Sequence, residues 1–235
     1  MNRVVQSLWV GNRLSTMERL CIASYLHHGY EFHLYIYSPV EGIPDGTTVM
    51  DASEIMPFIG EQFGHIAQFA DWWRYNLIYQ KGGWWVDMDT VCLQPFDDLT
   101  YEHVLEGYVK APAGSPVMAW VIEQCKRENW LTMSYGRIGP DLYKRAHEQF
   151  DFPFYTWPDT LHSFRDDEWR AYVEVPAREI PEGAHAAHLF HGMWRGAGMN
   201  VDAEYPPDSL YEIFKRRYLS DQIPDLRRLS SAQSI

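Results

Sequence analysis

The stretch FADWWRYNLIYQKGGWWVDMDT, residues 69–90, decides how the chain is read. Its first half has helical spacing, and the helix expected over residues 66–80 stops at Gly82-Gly83. WWVDMD (84–89) then reads as a strand, so that Asp87 and Asp89, two apart, project from one face while Met88 points the other way. Two neighbouring carboxylates repel unless a proton or cation lies between them. At the carboxyl end of a strand in an α/β sheet, where ligands bind, a divalent cation is the natural partner. Asp71 and Arg74 are i, i+3 on the preceding helix and share a face. The glycine pair allows a tight return that brings them beside the strand end, where a carboxylate and a guanidinium can grip a hydroxyl-rich ligand. Taken singly, a bare D-x-D is more often a pair of solvated loop acids, and an i, i+3 ion pair contributes less than about 1 kcal/mol.

Upstream, VVQSLWV (4–10) reads as a buried strand ending at Gly11-Asn12. Ser15 and Glu18 form a capping box for a helix that runs to Gly29, and EFHLYIY (31–37) alternates as a strand. This β-α-β start predicts an α/β fold with a mostly parallel sheet flanked by helices. An extended segment is expected near Val49-Met50, and helices are expected from Ser115-Pro116 to about 128 and from Gly139-Pro140. Further extended segments are expected at 171–175 and 185–190, with a helix near 208–218. A single domain over 1–229 and a polar tail over 230–235 account for the length.

Aromatic residues make up 15% of the chain, with 10 Trp, so something needs large flat side chains for packing or stacking. The formal charge of -12, with no run of five or more Lys and Arg, disfavours nucleic acid as a partner. Three widely spaced cysteines, Cys21, Cys92 and Cys125, suggest neither a disulfide framework nor a zinc site and fit a reducing, cytoplasmic location. No apolar run reaches the length of a membrane span. The one locally basic region, Phe214-Lys215-Arg216-Arg217-Tyr218 with Arg227-Arg228, allows at most a peripheral contact with anionic lipid or another polyanion.

The pattern D-x-x-R-Y-x-x-x-Y-x-x-G-G-x-x-x-D-x-D, met by Asp71, Arg74, Tyr75, Tyr79, Gly82, Gly83, Asp87 and Asp89, resembles the signature of the DXD-containing sugar-transferase family. That family is related to capsular and lipopolysaccharide glycosyltransferases and, distantly, to the clostridial glucosylating toxins. Leu8-Trp9-Val10-Gly11-Asn12 is similar to its first strand and nucleotide-contacting turn, and His188-Leu-Phe-His-Gly192-Met-Trp194 to its H-x-x-x-G-S-W block, with Met193 in place of Ser. Gly139-Pro140-Asp141 looks like the turn that borders its sugar pocket.

The resemblance implies a GT-A (Rossmann-like) fold and a metal-dependent glycosyltransferase of polysaccharide biosynthesis. It would move a sugar from a nucleotide-diphosphate sugar to a glycan or glycolipid hydroxyl with retention, giving an α-linkage. On it, Mn²⁺ (or Mg²⁺) is held by Asp87, Asp89 and His188, with Mn²⁺ the better match for mixed oxygen and imidazole ligands. Asp71, Arg74, Asp87 and Asp89 carry the chemistry. Trp9, Gly11, Asn12, Asp71, Arg74, Tyr75, Asp141, Gly192 and Trp194 contact the donor, the Trp194 indole N–H reaching a phosphate oxygen. Trp72, Trp73 and Trp84 are expected to pack, leaving Trp9, Trp194 and Trp85 for the ligand. Two alternatives compete: a haloacid-dehalogenase-like phosphohydrolase with Asp87 as nucleophile, because the strand-then-D-x-D-x-T pattern fits it too, and a non-catalytic sugar-binding module.

Overall fold

The computed structural model describes residues 3–97, 99–105, 107–150 and 163–220. The expected polar tail and Arg227-Arg228 lie outside the described residues.

Strand β1 (Val4–Trp9) is followed by α1 (Thr16–His27), whose first turn is closed by the Ser15/Glu18 capping box, and by β2 (Glu31–Ile36). Next come β3 (Thr48–Asp51), α2 (Ile66–Lys81), β4 (Gly83–Trp85), β5 (Thr90–Cys92), β6 (Val104–Leu105) and β7 (Val109–Ala111). Helices α3 (Pro116–Cys125) and α4 (Pro140–Gln149), strand β8 (Ala186–His188), and helices α5 (His191–Gly196) and α6 (Leu210–Leu219) complete the order.

The main sheet runs β3-β2-β1-β4-β7-β6. Its first four strands are parallel and the last two antiparallel, so the expected α/β class and mostly parallel sheet hold. Strand β4 pairs parallel with β1, Trp84 opposite Val5 and Trp85 opposite Gln6, and the Val86 N–H donates to the Gln6 carbonyl just beyond the ladder.

Helix α2 is buried on two sides. Trp73 packs on Tyr35 and Trp85 of the sheet, while Trp72 meets Trp130 on the outer side, which itself stacks on Phe63. Consecutive tryptophans cannot share one helix face, and a central helix is where both can be covered. Trp72, Trp73 and Trp84 are all buried, as expected. Helix α2 ends at Gly82, in a positive-φ conformation, where a Cβ would stand 2.7 Å from the Ala113 nitrogen, so only glycine lets the chain turn into β4.

Two sequence expectations change. The strand expected over 84–89 stops at Trp85, and the Thr90 N–H bonds the Asp87 carbonyl at 3.2 Å, so the two acids lie on a turn. The segment expected to be extended over 171–175 is instead entered by a 3₁₀ helix, Asp166–Tyr172. Trp169 and Tyr172, three apart, align on one side of it and bury in the cluster around Trp194 and Phe214. In the basic region Lys215 is buried against Glu212 at 2.5 Å, whereas Arg216, which donates to the Pro207 carbonyl, and Arg217 stay exposed. Among the described residues no helix is long and apolar enough to cross a membrane.

Candidate metal and donor site

The short ladder of β5 with β8 makes the site. It sets Thr90 opposite His188, and the Leu189 N–H donates to the Asp89 carbonyl at 2.7 Å, which carries a residue one hundred positions downstream onto the D-x-D turn. Asp87, Asp89 and His188 each offer an atom within 4.8 Å of the others. His188 Nε2 lies 3.2 Å from Asp89 Oδ1, and the other Asp89 oxygen accepts the His191 N–H at 2.8 Å.

Phe190 makes both contacts feasible. It sits at φ 57, ψ 56, a left-handed conformation that costs a non-glycine residue about 1–2 kcal/mol. In that conformation its ring stacks on His188 at 4.1 Å, and the chain turns so that the next N–H faces Asp89. The His191 imidazole turns away to Glu18, 3.0 Å distant and fully buried. Glu18 also closes the capping box of α1, so the first β-α unit and the C-terminal block share one carboxylate.

Asp87 is oriented from behind. Its Oδ1 accepts the Trp85 indole N–H at 2.7 Å and an Arg74 N–H at 3.3 Å. Arg74, nearly buried, also pairs with Asp71 at 2.7 Å and donates to the Tyr143 hydroxyl. Tyr75 donates to the Ile138 carbonyl at 2.6 Å, tying α2 to the loop before α4. Gly139 in that loop leaves room for the acid, since a Cβ there would stand 3.3 Å from Asp71 Oδ2.

Burial pushes the Asp71 carboxyl up to about 6 against the pull of Arg74. Burial also opposes charge on Asp89 and on His188, but their mutual attraction wins. Asp89 is held well below the usual carboxylate range and His188 above the usual imidazole range. Two carboxylates and an imidazole suit a divalent cation of the Mn²⁺ or Mg²⁺ kind, which must displace the His188 proton to bind. Affinity for Mn²⁺ is therefore expected to rise with pH, by up to about tenfold per pH unit, until the His188 pKa is passed. Calorimetry in buffers of different ionisation enthalpy should show about one proton released near pH 6. A pH-independent affinity would exclude His188 from the ligand set.

Around this group lies a two-lobed cleft. One lobe, about 720 Å³, is lined by Asp71, Arg74, Asp87, Tyr135, Tyr143, Lys144 and His188; the other, about 600 Å³, adds Asp89, His191, Gly192, Met193 and Arg195. Of the residues singled out in the sequence, Asp71, Arg74, Asp87, Asp89, His188 and Gly192 meet on its walls. Tyr75 stands behind them as support.

Others do not reach it. Trp194 is fully buried and its indole N–H is taken by the Leu189 carbonyl at 2.8 Å, so it is not free for a phosphate. Its ring packs on Trp169, Tyr205 and Tyr211 instead. Asp141 is exposed on the outer side of the first turn of α4, where it complements the helix dipole. Trp85 is buried and serves Asp87 rather than lying open to a ligand. Trp9, Gly11 and Asn12 lie at the carboxyl end of β1 but do not line the cleft; the Trp9 ring folds over Gly11, its buried indole N–H without a partner.

Tyr143, Tyr135 and Arg195 were not anticipated. The apolar face of α4, Leu142, Tyr143 and Ala146, was the available signal for Tyr143. Nothing in the local pattern marks the other two. Trp85→Phe removes the indole hydrogen bond and leaves a small cavity beside Trp73, so Mn²⁺ affinity is expected to fall about 10–100-fold with a modest loss of thermal stability. Metal titration beside a melting curve would check this.

The carboxyl edge of the sheet thus gathers two acids, an imidazole and an arginine-clamped carboxylate. The family model described as a glycosyltransferase sugar-binding region containing a DXD motif matches residues 41–105. Asp71, Arg74, Asp87 and Asp89 all lie within the matched stretch. A solved structure, PaToxG Glycosyltransferase, is similar with a TM-score of 0.48 at 17% identity, over 63% of this chain and 68% of that one. No curated protein matches.

Proposed function

We propose that the protein is a metal-dependent glycosyltransferase that moves a sugar from a nucleoside-diphosphate sugar to a hydroxyl of a glycan or glycolipid, with retention of configuration. The observation that carries this reading is the convergence of Asp87, Asp89 and His188 beside the Asp71–Arg74 pair, in a cleft built on a glycosyltransferase sugar-binding region. Asp87, Asp89 and His188 would hold Mn²⁺ or Mg²⁺, which supplies charge neutralisation at the leaving diphosphate.

Asp71, its Oδ1 fixed by Arg74, offers Oδ2 to the hydroxyls of the transferring sugar, and Arg74 keeps both Asp71 and Asp87 in place. The bond from the anomeric carbon to the phosphate oxygen breaks, its electron pair leaving with the phosphate. The acceptor oxygen forms the new bond, and its proton goes to the departing phosphate. Each acid of the motif is held by a partner, Asp71 by Arg74, Asp87 by Trp85, and Asp89 by His188 and His191, and the free Asp71 Oδ2 faces the sugar hydroxyls in this reading. This favours attack by the acceptor on the leaving-group face over a carboxylate nucleophile. A trapped covalent glycosyl-enzyme would overturn that step.

Buried free thiols at Cys21, Cys92 and Cys125 support a reducing compartment such as the cytoplasm. The test is a screen of UDP- and GDP-sugars for Mn²⁺-dependent hydrolysis and thermal stabilisation. Hydrolysis of at least one donor, abolished by chelation, is expected; hydrolysis of phosphomonoesters alone would favour the phosphohydrolase.

A further inference from the structure

A nucleoside diphosphate needs more than the metal set to hold it. As the bond to the sugar breaks, negative charge develops on its phosphates before the acceptor's proton arrives, and a cation beside them stabilises that charge. The groups that the C-terminal block would offer are spent or absent. The Trp194 indole N–H is bonded to Leu189, and Met193, exposed at the lobe, carries a thioether in place of a hydroxyl. Arg74 is committed to Asp71, Asp87 and Tyr143.

One further arginine lines the lobe that holds Asp89 and His188, and that is Arg195. It is exposed, one residue after buried Trp194, so the packed indole anchors the backbone from which its side chain extends. Its charge acts on both His191 and Tyr135, which line the same lobe. Among the described residues its guanidinium has no ion pair or hydrogen bond, whereas Asp166 on the same wall bonds the neighbouring Asp167 N–H. A planar fork of donors on the wall of the lobe that holds Asp89 and His188, free to turn to a ligand, matches the oxygens of a terminal phosphate.

We infer that Arg195 is the diphosphate-reading residue of this site: it binds the terminal phosphate of the nucleoside diphosphate and takes the place of the hydroxyl and indole contacts that Met193 and Trp194 do not make. The inference rests on the glycosyltransferase reading.

The test compares the affinity of UDP, GDP, CDP, ADP and dTDP with that of the matching monophosphates, in saturating Mn²⁺, for the wild type, Arg195→Ala and Arg195→Lys. The wild type is expected to prefer one diphosphate over its monophosphate. Arg195→Ala should lose about tenfold or more of that preference while keeping the monophosphate affinity within about twofold, and Arg195→Lys should recover part of it. Undiminished preference in Arg195→Ala overturns the assignment and leaves the transferase reading standing. If the wild type binds none of the five diphosphates, the transferase reading itself fails and takes this inference with it.

Discussion

Asp89→Asn is expected to lower Mn²⁺-dependent donor turnover by about a thousandfold while the protein stays folded, because the metal's several kcal/mol of transition-state stabilisation goes with its ligand. The asparagine keeps the shape of the side chain, and its carbonyl oxygen can still accept the His191 N–H, so the backbone turn that Phe190 sets up survives. What it removes is the negative charge facing His188, which the structure holds 3.2 Å away. The His188 proton is then no longer stabilised by Asp89, and burial, which opposes the charged imidazole, pulls its pKa down. Titration of the ring by NMR gives a second readout that is independent of activity. A variant that turns over donor at more than a tenth of the wild-type rate would remove Asp89 from the metal set. Asp87→Asn separates the reaction classes, since a phosphohydrolase with Asp87 as nucleophile would lose phosphomonoester cleavage outright.

The parts of the fold written in short-range chemistry were legible. The Ser15/Glu18 box, the Ser115-Pro116 start, the Gly82 stop and the alternation of β2 each declare an element through contacts within about four residues. The parallel half of the sheet followed from β-α-β order. By contrast, the turn at 87–90 was hidden, because an apolar run followed by D-x-D has the same pattern whether or not the strand continues. What ends the strand is pairing, since β4 has ladder partners at Trp84 and Trp85 but the chain then leaves to pair as β5 with β8.

The site shows the same division. Residue types single out Asp71, Arg74, Asp87, Asp89 and His188, but which residues line the cleft depends on which side of an element each occupies. Asp141 and Tyr143 sit in the same turn of α4, and the amphipathic pattern of that helix turns the tyrosine inward to Arg74. Trp194 is drawn inward by three aromatic rings from segments distant in sequence, a packing preference that no local pattern encodes. Trp85 is buried and its indole serves the carboxylate two residues on, a contact that the residue types alone do not announce.

Arg74→Met is expected to be the most destabilising single change in the cleft, at about 3–5 kcal/mol near pH 8. The side chain is nearly buried and satisfies Asp71, Asp87 and the Tyr143 hydroxyl at once, with its guanidinium 5.3 and 5.7 Å from the rings of Tyr75 and Tyr143. Methionine keeps most of the volume, so the loss measures uncompensated acids rather than a cavity. The pH dependence follows from Asp71, whose carboxyl already stands at about 6 through burial despite Arg74. A carboxyl raised in the folded state contributes its stability below the unfolded pKa and loses it as pH climbs through the folded one. Without Arg74 that folded pKa rises further, so the deficit of the variant should be smallest below about pH 6 and grow above it until the new pKa is passed. Urea denaturation of both proteins at pH 5.5 and 8, without added metal, reads this directly. An equal deficit at the two pH values would mean that Arg74 does not govern the Asp71 proton. Arg74→Lys supplies the control, because a point charge can answer one acid but cannot reproduce the fork that reaches all three partners; it should recover part of the stability while donor turnover stays low.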